Sequence, residues 1–215
     1  MGPKKMMKKD GLYSYLHLGL LVSLAGVFVW SAVRPYDYFT WVLEVAPAVI
    51  GAIVLLATYK RFRLTDITYV LIWFFSIILI TGGHYTYARM PLFDWIKETF
   101  DLTRNHYDRF GHFFQGVTPA MIGREVLLRT SPLRRGKWCF FIVCCVALAI
   151  SASYELFEWG MSIATGTAAD DFVGSQGDIW DAQQDMFLCL CGAVVAQIVL
   201  SKWHDRQLEK IMNNE

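Results

Sequence analysis

Asp108 and His112 stand four residues apart, and a carboxylate and an imidazole at that spacing share one face of a helix. Such a pair can hold a metal ion, or one group can orient the other as an acid–base unit. Gln115 extends the same stripe. Further along, Glu155 and Glu158 lie three apart and share a face with Ser151 and Ser162. Asp178, Asp181 and Asp185 fall at i, i+3 and i+7, which is one stripe again, although Asp178 also reads as a helix N-cap. His84 sits in the string Gly82-Gly83-His84-Tyr85, and His106 precedes Asp108 by two residues. Glu44 stands about a turn inside its own apolar segment.

Seven carboxylates therefore face three histidines and Arg109. Close carboxylates cannot all ionise in a low-dielectric site without cations. Either some keep their protons or a metal ion neutralises them. Oxygen-rich ligands with one to three imidazoles suit Zn²⁺, Mn²⁺, Mg²⁺ or Fe²⁺. The Glu-x-x-His motif of di-iron bundles is absent, since this chain offers Glu155-x-x-Glu158. The expected ligands are His84, Asp108, His112, Glu158, Asp181 and Asp185. Glu155 is the expected general base, Arg109 a holder of an anionic headgroup, and His106 a proton shuttle at the mouth. The competing reading is a polar network that only ties helices together.

The elements that carry these residues are apolar. Of the 215 residues, 55% are hydrophobic, and the mean hydropathy of +0.35 is that of a membrane protein. A net charge of +1 offers no global field for nucleic acid, so none is expected as a partner. A bilayer core of about 30 Å needs roughly 20 apolar residues in a helix. Six stretches qualify: 13–33, 39–59, 66–88, 107–129, 138–164 and 180–201. The fourth is the most polar, and only buried neighbours would tolerate it. The expected fold is all-α, with a short basic N-terminus over 1–12, a six-helix transmembrane domain over 13–201 and a C-terminal tail over 202–215.

Loop charges alternate. Lys4, Lys5, Lys8 and Lys9 precede the first span, and Lys60, Arg61 and Arg63 follow the second. Arg129, Arg134, Arg135 and Lys137 follow the fourth, and Lys202, Arg206 and Lys210 follow the sixth. The loop 166–177 has no Lys or Arg and contains Asp170 and Asp171. The positive-inside rule then puts both termini in the cytoplasm and the polar layer on the far side. Residues 91–100 read as a short interfacial helix. The loop 165–178 reads as irregular, and such a segment can form a lid. The first span is too long for a signal-peptide core and has no cleavage pattern after it.

Other features have plainer readings. The five cysteines, Cys139, Cys144, Cys145, Cys189 and Cys191, read as small buried hydrophobes. His17 reads as a packed or snorkelling residue, and Arg124 with Glu125 as a salt bridge or headgroup contact. Pro47 and Pro119 are expected to kink their helices. Trp30, Trp41, Trp159 and Trp180 lie near span ends, as interfacial aromatics do.

With those residues in hand, the chain resembles the YjdF family of bacterial inner-membrane proteins over most of residues 40–206. The matching strings include Gly82 to Ala88, Asn105 to Arg109 with Gly111-His112, Ser131 to Trp138, Tyr154-Glu155-Leu156, Glu158-Trp159, Gln176-Gly177-Asp178, Trp180-Asp181 and Asp185-Met186. The resemblance implies a bacterial multi-pass protein with its polar layer in the periplasm, and it implies no reaction. Residues 108–200 also resemble VanZ-like proteins, at Asp108-Arg109 with His112, at Glu155, and at Asp181 with Asp185. Asp185 stands where that pattern has Asn, and Gly192 comes later than its glycine. That likeness implies a role at the cell envelope.

The sequence thus points to a carboxylate/histidine site facing the periplasm from the bacterial inner membrane. Its expected activity is metal-dependent hydrolysis or transfer on a lipid or envelope-linked substrate. A proton-coupled transporter or channel, and a non-catalytic envelope assembly factor, are the alternatives; the oligomeric state is left open. Reporter fusions to each loop test the orientation: cytoplasmic reporters should be active at residues 60–65, at 131–137 and after 202, and periplasmic reporters at 34–38, 89–106 and 166–177.

Overall fold

The structure, a computed structural model, describes residues 3–166 and 170–213, with side chains from residue 15 onward except those of 170 and 171. The basic side chains Lys4, Lys5, Lys8 and Lys9, the acidic pair Asp170 and Asp171, and loop residues 167–169 lie outside that description. The described chain is all-helical: α1 Pro3–Ser31, α2 Tyr38–Thr58, α3 Asp66–Tyr85, α4 Pro91–Thr99, α5 Tyr107–Thr130, α6 Lys137–Thr165, α7 Asp170–Val173 and α8 Asp181–Met212. Helices α2, α3, α6 and α8 are long and apolar enough to cross a membrane, and α1 carries a shorter apolar stretch, Tyr15–Ser31. Large apolar side chains such as Ile50, Ile53, Ile198 and Val199 are exposed, whereas Thr40, Glu44 and Asp185 are buried. That inversion of inside and outside is what a hydrocarbon solvent selects.

Several boundaries differ from those expected. Helix α3 ends at Tyr85 because Thr86 adopts φ +60°, and the chain makes a 3₁₀ turn over Tyr87–Arg89. The reversal seats the Tyr87 ring on Gly82, where no Cβ would fit. Helix α4 is the short helix anticipated at 91–100. Loop 165–178 is not wholly irregular, since it contains α7. Helix α8 does not stop near 201 but continues to Met212. Cys145 is exposed rather than buried.

Helix α5 is the centre of the bundle. It packs most extensively on α8, and also on α6 and α3, while α3 in turn carries α1 and α2. The α5–α8 crossing is close because two glycines face opposite backbones. A Cβ on Gly116 would collide with the Cys189 carbonyl, and one on Gly192 with the Phe113 carbonyl. Small residues permit this approach between helices that no hydrophobic effect drives together. Ala120, Val143, Ala147, Cys189 and Ala193 fill the adjoining core.

One end of the bundle is locked by Glu125 on α5. Its carboxylate accepts the Thr65 N–H at 3.0 Å and the Thr65 and Thr68 hydroxyls at 2.9 and 3.0 Å. Arg129 Nη1 and His204 Nε2 each lie 3.1 Å away. Arg124 Nη1 lies 2.7 Å from His204 Nδ1, and a guanidinium only donates. His204 Nδ1 is therefore the acceptor and Nε2 bears the proton that reaches Glu125. Arg124 also pairs with Asp205 at 2.7 Å, so the salt bridge anticipated for Arg124 and Glu125 extends into a network joining α3, α5 and α8.

Replacing Gly116 or Gly192 by leucine should separate α5 from α8 and abolish the monodisperse, folded protein in size-exclusion chromatography. Ala at either position already adds the colliding Cβ, so it should lower stability by more than the roughly 1–3 kcal/mol usual for side-chain overpacking. Ala at Gly160, where the added Cβ meets nothing, should be neutral or slightly stabilising.

Candidate functional site

At the opposite end from Glu125, α5 opens with the predicted stripe. Asp108, His112 and Gln115 are all buried, at 5, 4 and 8% exposure. Helix α8 supplies Asp181 and Asp185, and α6 supplies Glu155 and Glu158. Donor atoms of Asp108, His112 and Asp185 lie within 4.8 Å of one another. His112 Nε2 is 3.5 Å from Asp108 Oδ1 and 3.5 Å from Glu155 Oε1. Both distances are too long for good hydrogen bonds. The His112–Asp108 separation lies just beyond the ligand–ligand edge of a tetrahedral site, about 3.4 Å for metal–ligand bonds of about 2.1 Å. Asp185 Oδ1 is buried and accepts no hydrogen bond. A buried carboxylate oxygen without a donor is costly unless a cation or proton meets it.

Glu158 is buried and lies in the field of Asp108, Glu155, Glu44 and Asp185. Glu44, on α2, joins from the far side of the bundle and takes the Tyr154 hydroxyl at 3.4 Å. A cavity of about 130 Å³ adjoins these groups, lined by Pro47, Leu79, His112, Gln115, Pro119 and Ile150 among others. Pro47 and Pro119 both lie inside helices and both face this space. A larger cavity, of about 250 Å³, lies away from the cluster between α1, α2 and α3. Its wall is leucine-rich and its polar edge is His17, which bonds Tyr59 Oη at 2.8 Å and Asp66 Oδ1 at 3.0 Å. The expectation of a packed His17 fits these contacts.

Three predicted residues sit differently from expectation. His84 is not brought to the cluster: its Nδ1 bonds the Ser31 carbonyl at 2.9 Å and its ring stacks on Trp30. The α3 terminus turns it toward α1, where it fixes the α1–α2 connection. Asp181 is engaged by Arg104, its ion-pair partner, rather than by the imidazole. Asp178 is not the N-cap of α8, a place taken by Trp180; it bonds the Trp180 N–H at 2.9 Å from the preceding turn.

Sequence reasoning missed Arg104. It is 5% exposed and reaches Asp181, Asp178 at 3.7 Å and Asp108 at 3.8 Å. Its i,i+4 relation to Asp108 was the available signal, masked by its place in a mixed-charge connector. Arg109 donates to Asp178 Oδ2 at 2.7 Å and lies 3.4 Å from His106 Nδ1. Burial, then the charges of Arg109 and Arg104, hold the His106 imidazole below its ordinary value, so it is neutral at pH 7. Also unforeseen was the amide clamp in which Asn105 N–H donates to Gln176 Oε1 and Gln176 Nε2 donates to the Asn105 carbonyl, each at 2.9 Å.

The fold and this cluster define a multi-pass helical membrane protein with a buried carboxylate–imidazole centre near one end of the bundle. The chain belongs to the family described as "Predicted membrane protein (DUF2238)", which matches residues 16–206. It is 47% identical over 189 residues to "Inner membrane protein YjdF" of Escherichia coli (strain K12), covering 88% of this chain and 90% of that protein. No solved structure matches it.

The Trp180 N–H bond, the Gln184 amide and the two arginines hold the Asp178 carboxyl below the usual carboxylate range. A carboxyl depressed in the folded state stabilises above its ordinary value, and that contribution is lost as pH falls through the lowered one. The protection factors of the amides at residues 176–180, exchange rates corrected for the intrinsic pH dependence, should therefore hold at pH 5 and fall only in more acidic solution. In Asp178→Asn they should already be low at pH 7.

Proposed function

We propose that this protein is a six-span inner-membrane enzyme, with both termini cytoplasmic, that uses a divalent metal to hydrolyse or transfer a lipid or envelope-linked substrate in the periplasm. The observation that carries the reading is the convergence of Asp108, His112 and Asp185, with His112 Nε2 held 3.5 Å from two carboxylates instead of hydrogen bonding to either. Helix α5 counts as a span by its 24 residues, about 36 Å at 1.5 Å per residue, although its own composition is polar. The basic residues at the Glu125 end support the orientation, since Arg129, Arg206 and Lys210 belong to that end of α5 and α8 and Arg135 to the loop that follows α5.

Asp108, His112 and Asp185 would be the ligands, with Glu158, buried in the field of Asp108 and Asp185, as the further carboxylate the sequence offers. A bound Zn²⁺, Mn²⁺, Mg²⁺ or Fe²⁺ polarises a phosphoryl or carbonyl oxygen and lowers the pKa of water. Glu155 takes the proton of the attacking water as its oxygen bonds to the electrophilic atom. The bond to the leaving group breaks, and the same proton passes to that group. The apolar cavity beside His112 suits the alkyl part of an amphiphile entering from the bilayer.

A transport path would need the cluster to continue toward Glu125. The Gly116–Cys189 and Gly192–Phe113 approaches close that interval, which favours the enzyme.

Purified protein in mild detergent should carry metal at a stoichiometry near one by mass spectrometry. Asp108→Asn/His112→Gln should lose it while remaining folded. A native protein without metal after supplementation and dialysis removes the hydrolytic scheme.

A further inference from the structure

Asp178 belongs to a loop, yet four groups converge on its carboxylate. Arg109 Nη2 donates to Oδ2 at 2.7 Å, Gln184 Nε2 donates to the same oxygen at 2.9 Å, and Arg104 Nη1 stands 3.7 Å from it. The Trp180 N–H donates to Oδ1 at 2.9 Å. Two guanidiniums, a primary amide and a peptide N–H aimed at one carboxylate make the donor set of an oxyanion site.

The occupancy is imperfect. Arg109 and Gln184 share one oxygen, with Arg104 at ion-pair distance from it, while Arg104 Nε and Arg109 Nε are buried with no hydrogen-bond partner. A carboxylate has two oxygens to offer, whereas a phosphate group has at least three and spreads the same donors among them. Arg104 keeps Asp181 as a separate partner, whereas among the described residues the ion-pair partner of Arg109 is Asp178. Arg104 is nine-tenths buried, and the Asp178 side chain is a quarter exposed, so the anion is the movable half of the pair.

The segment bearing Asp178 is a strap. Gly174, Gln176 and Gly177 have φ of +63°, +50° and +86°. Glycine adopts such values freely, whereas Gln176 is held there by its amide clamp on Asn105. The strap is therefore pinned by two side chains, Gln176 and Asp178. Behind it, Arg104 touches Asp178 on one side and Asp108 of the carboxylate–imidazole cluster on the other, at 3.7 and 3.8 Å.

We propose that Asp178 is an internal occupant of a phosphate-binding site, and that a phosphate group displaces it to bind Arg109, Arg104, Gln184 and the Trp180 N–H. Displacement frees the strap at Asp178, leaving the Gln176 clamp and the Gly174 carbonyl that accepts from Arg104 Nη2 at 3.3 Å, and opens the approach to the cluster behind Arg104. What is then done to the phosphate rests on the metal-dependent reading above; the binding itself does not.

The test titrates the full-length protein in detergent with inorganic phosphate and with methyl phosphate, by calorimetry, with and without EDTA. Nanodiscs containing phosphatidic acid or only phosphatidylcholine form a second arm. If the strap is open about a tenth of the time, removing the internal anion should tighten binding about tenfold. Asp178→Asn should show that gain, and Asp178→Asn/Arg109→Gln should lose it. Gly177→Val strains the strap without changing charge and should tighten binding in the same direction, which keeps the test valid if Asp178→Asn does not fold. A gain with inorganic phosphate assigns a site for free phosphate groups. A gain confined to phosphatidic acid assigns a lipid headgroup. Unchanged affinity for every probe in both strap variants, or a gain that survives Arg109→Gln, overturns the proposal. A gain that persists in EDTA, in protein that binds no metal, leaves the phosphate site standing while the hydrolytic reading falls. Metal binding without any gain does the reverse.

Discussion

Helix α5 places Asp108, Arg109, His112, Arg124, Glu125 and Arg129 along 24 residues, and hydrocarbon cannot solvate any of them. Every major packing choice follows from covering that helix. Helices α3, α6 and α8 surround it, and its closest neighbour, α8, brings charges of its own at both ends: Asp181 and Asp185 near one, His204 and Asp205 near the other. Gly116 and Gly192 let the two backbones approach until little but small side chains separates them. A charged helix can occupy the middle of a membrane bundle because its neighbours are close enough to pair with it.

The two ends solve the same problem in opposite ways. Around Glu125, five donors meet one carboxylate, and the histidine tautomer is dictated by its arginine neighbour. Such saturation ties helices together and leaves nothing for a ligand to do. Around His112, acidic groups outnumber donors, Asp185 Oδ1 has no partner, and the imidazole stands at non-bonding distance from two carboxylates. A structural network has no reason to be left incomplete in this way. The contrast within one helix distinguishes a saturated lock from an unsaturated candidate site.

The arginines explain why the incomplete end is stable enough to exist. Arg104 inserts between Asp181, Asp178 and Asp108, and Arg109 holds the loop aspartate. Two guanidiniums thereby offset part of the negative charge from the connector side, while the His112 side stays uncompensated. The polarity of the cluster has a direction, with cations toward the loop and the His112 imidazole toward the apolar cavity.

The helical segments were legible in the chain because hydrophobic runs and loop charges are local properties, and the stripes of α5, α6 and α8 were legible because a helix repeats every 3.6 residues. Asp108 with His112, Glu155 with Glu158, and Asp181 with Asp185 each follow from spacing alone. Spacing says nothing about where a helix ends when a single residue such as Thr86 turns to positive φ, and that turn sends His84 to Ser31 instead of to the cluster. Nor does it say which helices touch. Arg104 and Asp181 are 77 positions apart, and Glu125 and His204 are 79 apart, so neither pair leaves a periodic trace. The sequence by itself determined an all-helical membrane chain and which residues share a helix face. Only the tertiary structure decided which faces meet, because helix order in a bundle is set by backbone approach and charge pairing between segments far apart in the chain.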